Sequence, residues 1–328
     1  MASSASPVDP VEPAAPLRVG IVGAARTRQG LGPFLASAFE AAGARVTAVA
    51  GRDRASAQRA AALLAVALRH PVDAAADARA LARAVDVLVV AAPVDGHLAG
   101  LDAALAAGVP CLCEKPLVAA VDAAAGLERI AAFRQRGLLL VENCQWPFVL
   151  PALFELHPAL RGQPVRTIAM GLGPSGTGPA MVADSLSHVL SVVQALVELP
   201  RDVVPTNVRQ TDASADARAN VVQFELRGPA DAIAVSLHLV HTPEPPRPAW
   251  LVVNGARIDR SIGPGYSIAF TTPDGRQRNV QDPLYALVYG LVATLPHAPR
   301  ERTTTSADVL ALRLRLYAAV LAALGAGH

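Results

Sequence analysis

Lysine is nearly absent from this chain: 28 of its 29 cationic residues are arginine, and the one lysine is Lys115, in the stretch CLCEKPL. Either chance left it there, or it stands where arginine cannot serve. An ammonium is compact, approaches a single oxygen closely and gives up its proton when buried, whereas guanidinium is bulky and stays charged. Other absences narrow the field. Cysteine is scarce, and Cys111, Cys113 and Cys144 form no CxxC pair, which predicts a reduced, cytoplasmic setting. Residues 1–16 have no basic start and no apolar run; their Pro, Ala and Ser content predicts a disordered lead and not a signal peptide. No uncharged apolar stretch reaches the ~18–20 residues that span a bilayer, so no membrane partner is expected. Charge is balanced, 29 basic against 27 acidic residues, which leaves no electrostatic footprint for nucleic acid. No cluster of His, Cys, Asp or Glu has metal-ligand spacing, and no internal repeat is visible.

What is present suits two domains: 328 residues, 52% of them hydrophobic. In the first half, β-rich runs at 17–23, 44–51, 85–93, 109–116 and 137–142 alternate with helical stretches at 34–43, 56–69, 97–107 and 119–136. That alternation predicts a doubly wound parallel Rossmann sheet over 17–142 with right-handed crossovers. From 143 to 328 the rhythm changes. A strand at 164–171 leads through GLGPSGTGP into a helix at 181–197. Strand-like runs follow at 203–210, 219–226, 231–240, 249–259 and 266–280, then helices at 282–295 and 306–323. Consecutive strands without helices between them predict an α/β domain with an open, mainly antiparallel sheet.

A strand ending in glycine and followed by a helix is where such a sheet receives a dinucleotide pyrophosphate. The fingerprint is degraded: Gly23 supplies the first glycine, Ala25 stands at the second position, and the loop runs on as RTRQGLGP. Gly30, Gly32 and Pro33 keep the helix start open. Arg26 and Arg28 either add charge to phosphate recognition or face solvent. The end of the second strand lacks the acidic residue that bonds a ribose 2′-hydroxyl; Gly51 and Arg52 stand there. A small residue followed by arginine leaves room and charge for a 2′-phosphate, so NADP(H) is favoured; NAD(H) stays open because Asp53 is near enough to reach the ribose.

The stretch VDVLVVAAPVDGHLAGLDAALAAGVPCLCEKPL closely resembles the Gfo/Idh/MocA oxidoreductases, whose pattern is TPxxxH…AGKHVLCEKPL, with a second α/β domain carrying an open sheet. MVADSLSHVLS resembles the family's Asp-x-Gly-x-His helix, with Asp184 and His188 four apart on one helix face. Leu186 replaces the glycine and Ser191 the aspartate that the family often has, which puts its usual sugar contacts in doubt. The resemblance implies a catalytic set of Lys115, Asp184 and His188. It also implies cofactor contacts from Pro93, His97, Glu114 and Lys115 beside Gly23, Ala25, Arg26, Arg28, Gly51 and Arg52. Asn143, Gln145 and Trp146, where the chain crosses between domains, and Ser191 are candidate substrate contacts. The bland reading makes Asp184, His188, Ser191 and Glu198 the wet stripe of an amphipathic helix, His97 a structural helix-start residue and Trp146 an interdomain plug.

The function expected is an NADP(H)-dependent oxidoreductase interconverting a secondary alcohol and a ketone on a sugar or cyclitol-like polyol. Two alternatives stand beside it: a non-catalytic NADP-binding regulator, and a reductase of a non-sugar carbonyl or imine. A homo-oligomer, dimer or tetramer, is expected through the C-terminal sheet, whose apolar strands need cover.

Overall fold

In the first half, short runs of Val, Leu and Ala with no polar interruption form the strands of a parallel sheet. They are β1 (Arg18–Val22), β2 (Arg45–Ala50), β3 (Asp73–Ala74), β4 (Val87–Val90), β5 (Cys111–Cys113) and β6 (Leu140–Glu142), in the spatial order β3-β2-β1-β4-β5-β6. All five pairings are parallel. Every residue of β4 is buried, as expected of a central parallel strand covered on both faces. The helices between them are α1 (Gly32–Ala41), α2 (Arg54–Leu68), α3 (Ala78–Arg83), α4 (His97–Ala107) and α5 (Ala123–Gln135). The strand order reverses between β1 and β4, and a crevice opens there at the carboxyl ends. The computed structural model describes residues 15–25, 31–211, 216–228, 231–295 and 300–325, so most of the expected N-terminal lead lies outside the described residues.

The second half places α6 (Leu150–Leu156), β7 (Thr167–Leu172) and α7 (Pro179–Leu196) ahead of a run of strands. These are β8 (Thr206–Thr211), β9 (Ala219–Arg227), β10 (Ala232–Val240), β11 (Ala249–Val253), β12 (Ala256–Ile262), β13 (Ile268–Thr271) and β14 (Gln277–Val280). They form an eight-stranded sheet in the order β14-β13-β12-β11-β7-β10-β9-β8. Its pairs are antiparallel except β7 with β10. Strands β9 and β10 alternate buried and partly exposed residues, so one face carries the core and α7 lies on it. Two helices end the chain, α8 (Pro283–Thr294) and α9 (Arg300–Ala323).

The expected fold class is the observed one; the details differ where the periodic signal is weakest. Strand β3 has two exposed residues and is too short to show a period, so it and α3 are not legible in the sequence. The single run expected at 249–259 is a hairpin, β11 and β12, turned at Asn254 (φ 47°) and Gly255 (φ 83°). Two positive φ angles match the right-handed twist of a tight hairpin, and Asn-Gly is the pair that adopts them. Likewise 266–280 folds back as β13 and β14, with Gly275 at φ 87°.

The Rossmann sheet is buried on both faces, by different partners. One face packs on α1, α2 and, from the far end of the chain, α8, through Leu284, Leu287, Val288 and Leu291. The other face is continuous with the core of the second sheet through α9, which carries Leu310, Leu314 and Tyr317. The chain's last two helices therefore tie the halves together and fix the end of β5 opposite α7.

Candidate active site

At the crevice, Gly23 (φ 82°) turns the chain out of β1, and a Cβ there would stand 2.6 Å from the Ala92 amide nitrogen. A Cβ on Gly32, the first residue of α1, would meet Ala24 Cα at 2.6 Å. Both positions thus need glycine for close backbone approach. Among the described residues no side chain caps the start of α1; Leu31 precedes it and Pro33 sits in its first turn. A helix start of this kind, with close backbone approach at Gly23 and Gly32, fits a dinucleotide pyrophosphate. Ala25 is half-buried beside the turn, and the expected contacts Arg26 and Arg28 lie outside the described residues. At the end of β2, a Cβ on Gly51 would collide with Ser56 and approach the Ala57 nitrogen to 2.8 Å, so the glycine has a packing reason of its own. Asp53 is engaged as the N-cap of α2, accepting from the Ser56 amide at 2.7 Å. Arg52 is 91% exposed beside it.

The lone lysine follows β5, on the carboxyl edge of the sheet. Its Nζ donates to Asp184 Oδ1 at 2.6 Å and to the Asp184 main-chain oxygen at 2.9 Å. Asp184 lies near the start of α7, and His188 follows one turn later on the same face. The inward face of α7 consists of Leu186, Val189, Leu190 and Val193, all fully buried. Burial opposes the charge on Asp184, but the Lys115 ammonium, its hydrogen bond and the nearby Arg247 hold the carboxyl below its usual range. Burial, reinforced by the charges of Lys115, Arg260 and Arg313, pushes His188 down to about 3 against a pull from Asp184, so the imidazole is neutral at physiological pH. His188 Nδ1 is shielded from solvent and has no hydrogen-bond partner among the described residues.

The other expected residues take distinct places. Asn143 is buried and donates to Glu114 Oε1, while Gln145 donates to Asn143 Oδ1 at 3.4 Å. Burial raises the Glu114 carboxyl above its usual range, opposed by Asn143 and Lys115. These three form a polar string running from the lysine loop. His97 is buried, with Nδ1 3.0 Å from the Pro116 carbonyl and Nε2 2.9 Å from the Ala92 carbonyl. It thus staples the turn containing Pro93 to the lysine loop. Trp146 packs edge-on to Phe270 in the core, with the Arg260 guanidinium 6.0 Å from its ring centre. Ser191 donates to the His188 carbonyl at 2.7 Å, and Glu198 lies exposed beyond the end of α7.

Sequence reasoning misses the group that holds these parts together. Glu142, the last residue of β6, is 5% exposed. One carboxylate oxygen accepts from the Leu117 amide at 2.9 Å and Ser187 Oγ at 3.1 Å; the other accepts from Arg313 Nη1 of α9 at 2.9 Å. A carboxylate at the end of a buried apolar strand, VEN, is the signal that marks it. Arg260 and Arg247, from the second sheet and its loops, are likewise not read from the sequence. A cavity of about 410 Å³ lined by Leu156, His157, Gln163 and Arg276 among others shares no residue with this cluster. Among the described residues, no group of His, Cys, Asp and Glu is arranged to hold a metal ion, and no helix is long and apolar enough to cross a membrane.

A neutral buried histidine couples folding to pH. Its proton affinity is lower folded than unfolded, so the unfolded chain takes up the proton first as pH falls below about 6.5, and stability drops. Relative to His188→Gln, the unmutated protein is expected to lose an extra ~1.4 kcal/mol per pH unit between about pH 6 and 4. Chemical denaturation across that range checks it; parallel pH profiles would show that the imidazole is not held neutral.

Residues 17–143 match the family "Oxidoreductase family, NAD-binding Rossmann fold" (GFO_IDH_MocA). No curated protein matches the sequence. Among solved structures, the chain is similar to a UDP-N-acetylglucosamine 3-dehydrogenase from Acidithiobacillus ferrooxidans, at 22% identity over 94% of this chain and 98% of that one, TM-score 0.63. It is also similar to a 3-ketoreductase variant from Actinomadura kijaniata in complex with TDP-benzene and NADP, at 22% identity over 91% and 96%, TM-score 0.62. An oxidoreductase from Agrobacterium radiobacter in complex with NAD+, L-tartaric acid and magnesium aligns at 17% identity over 95% and 96%, TM-score 0.60. At these identities the structures speak for the two-domain fold alone. Over its first domain, residues 17–143, the chain is therefore similar to the Gfo/Idh/MocA oxidoreductases.

Proposed function

We propose that the protein is an NADP(H)-dependent oxidoreductase that interconverts a secondary alcohol and a ketone on a sugar or cyclitol-like polyol. In this reading residues 17–142 bind the dinucleotide and 143–328 hold the substrate and the subunit interface. The observation that carries it is the Lys115 ammonium locked onto Asp184 at the carboxyl edge of β5, beside a neutral His188. Two similar structures are named as a UDP-N-acetylglucosamine 3-dehydrogenase and a 3-ketoreductase, which supports a reaction between hydroxyl and ketone and, through the first, the substrate class.

When bound, the nicotinamide carries the hydride; the chain's part is to orient the carbon and manage the hydroxyl proton. The open start of α1, with Gly23 and Gly32, receives the pyrophosphate. Lys115 keeps its charge in place through Asp184 and donates to the reacting oxygen, which stabilises developing negative charge. His188, held neutral, takes the proton from the alcohol or returns it to the ketone. Asp184 fixes the lysine's reach. Glu114, its carboxyl raised above the usual range by burial, lines the same edge tied to Asn143.

Lys115→Arg tests whether the lysine is needed as such. A guanidinium overfills the place of Nζ and does not titrate. The variant is expected to fold and bind NADP(H) yet lose at least ~10²-fold in kcat, the scale of removing one electrostatic stabiliser. His188→Ala should cost a similar factor, and the double variant little more than the worse single one. Near-normal turnover of Lys115→Arg on a polyol panel would refute the assignment.

NADP(H) preference rests on Arg52, exposed at the end of β2 where an acidic residue would select NAD(H). Arg52→Ala should weaken NADP(H) by roughly 1–3 kcal/mol and NAD(H) little, as read by titration calorimetry. Equal affinity of the unmutated protein for both dinucleotides would contradict it.

Association through the second sheet completes the reading. On the face away from α7, the central strands present small and flat groups: Ala169, Gly171, Ala234 and the Trp250 ring, which lies over Gly171. That face suits a second copy of the chain. Light scattering at micromolar concentration should show a dimer or tetramer, and a monomer would count against it.

A further inference from the structure

Among the described residues, three buried side-chain atoms have no hydrogen-bond partner: His188 Nδ1, Arg260 Nε and Asn220 Oδ1. Strand register sets Asn220, Leu239, Leu172, Ala249, Arg260 and Phe270 in one row across the second sheet. Leu239, Ala249 and Phe270 of that row share a core with Leu186 and Val189 of α7, so the row faces the helix that carries His188. Asn220 stands four strands from Arg260, roughly 19 Å at ~4.8 Å per strand, too far to share one small group. Arg260 and His188 are close enough that the charge of one lowers the proton affinity of the other.

Among the described residues, Arg260 is a cation in no ion pair. Its Nη2 donates to the Arg247 carbonyl at 3.2 Å, and its guanidinium stands over Trp146. The carboxylate of Asp282 is felt at Arg260 but is committed to capping α8, accepting from the Leu284 amide at 2.9 Å. The phenol of Tyr266 also acts on it from the β12–β13 loop. Arg247, held by the carbonyls of Thr242 and Pro243, adds a second guanidinium whose charge reaches Asp184. Asp184 itself is taken by Lys115. A neutral polyol would supply none of the missing negative charge, whereas a carboxylate or phosphate matches the guanidinium fork.

We infer that Arg260 seats an oxyanion carried by the substrate, a carboxylate or a phosphate, so that the polyol turned over at Lys115 and His188 is an acidic one. The inference rests on the oxidoreductase reading above for the word substrate, but its test is a binding measurement. An oxyanion at Arg260 would offset one of the charges that depress His188, so an acidic substrate would also make its own base stronger.

The test is calorimetric titration of the NADP+-saturated protein with paired probes: D-glucose against D-glucuronate and D-glucose 6-phosphate, and myo-inositol against its 1-phosphate. At least one acidic probe should bind on the order of tenfold or more tighter than its neutral partner. Whether it is the uronate or a phosphate tells which oxyanion is meant. Arg260→Gln should erase that preference, Arg260→Lys should keep part of it, and NADP+ affinity should be unchanged in both. If Arg260→Gln does not fold, Arg260→Lys is read alone, with a partial loss expected. Equal binding of acidic and neutral probes in every pair, or a preference that survives substitution, would overturn the inference. A loss that falls on NADP+ affinity would overturn it too, assigning Arg260 to the dinucleotide. Failure of the oxidoreductase reading is separate: it shows as binding without turnover.

Discussion

The site depends on one buried carboxylate. Glu142 ends the last strand of the first sheet, and its side chain meets three parts of the molecule at once: the Leu117 amide just past Lys115, Ser187 beside His188 on α7, and Arg313 on the final helix. The side chains of Glu142 and Arg313 are only 3% and 10% exposed. A buried pair of this kind adds little net stability over a well-packed apolar pair, because both charges give up water; losing one partner alone costs about 3–5 kcal/mol. What it contributes here is position. The lysine loop belongs to one domain and the histidine helix to the other, and the same carboxylate sets the distance between them.

Given that frame, the chemistry of the lone lysine follows from crowding. Lys115 has a carboxylate oxygen and a main-chain oxygen of Asp184 within 3 Å, a geometry that suits three small ammonium donors. Behind it, burial keeps His188 neutral and Glu114 above its usual carboxylate range. The result is a site in which one neutral base lies among fixed cations, Lys115 with the guanidiniums of Arg260 and Arg247. That division of labour suits moving a proton from an alcohol while a hydride leaves its carbon.

Much of this was legible from local patterns. The alternation of the first half gave the doubly wound sheet, and the EKP stretch with Asp184 and His188 one helical turn apart marked the residues that the structure brings together. Hairpins were lost where two strands read as one run, although Asn254–Gly255 is a turn signal that could have divided the first. Glu142 with Arg313, and Arg260 with its neighbours, were not legible for a different reason. Glu142 and Arg313 are 171 residues apart, and nothing in either local sequence names the other. Periodicity reports which face is buried; it does not report which polar groups on that face will find each other. Gly51 shows the converse: a pattern read as cofactor selection also has a steric cause, the close start of α2.

The claim that Glu142 and Arg313 position the catalytic groups is open to direct measurement in the double variant Glu142→Met, Arg313→Met. Replacing both charges with apolar side chains of similar length removes the desolvation cost of the pair, so the fold should hold, at a cost of about 1–3 kcal/mol for each buried donor left without an acceptor. The Leu117 amide and Ser187 nevertheless lose their shared acceptor, so the lysine loop and α7 are no longer tied. With the best polyol of a panel, kcat should fall by roughly tenfold or more while NADP(H) affinity holds, because a small misplacement of reacting groups is costly. A stable double variant with unchanged kcat would show that the two domains hold Lys115 against Asp184 without this carboxylate.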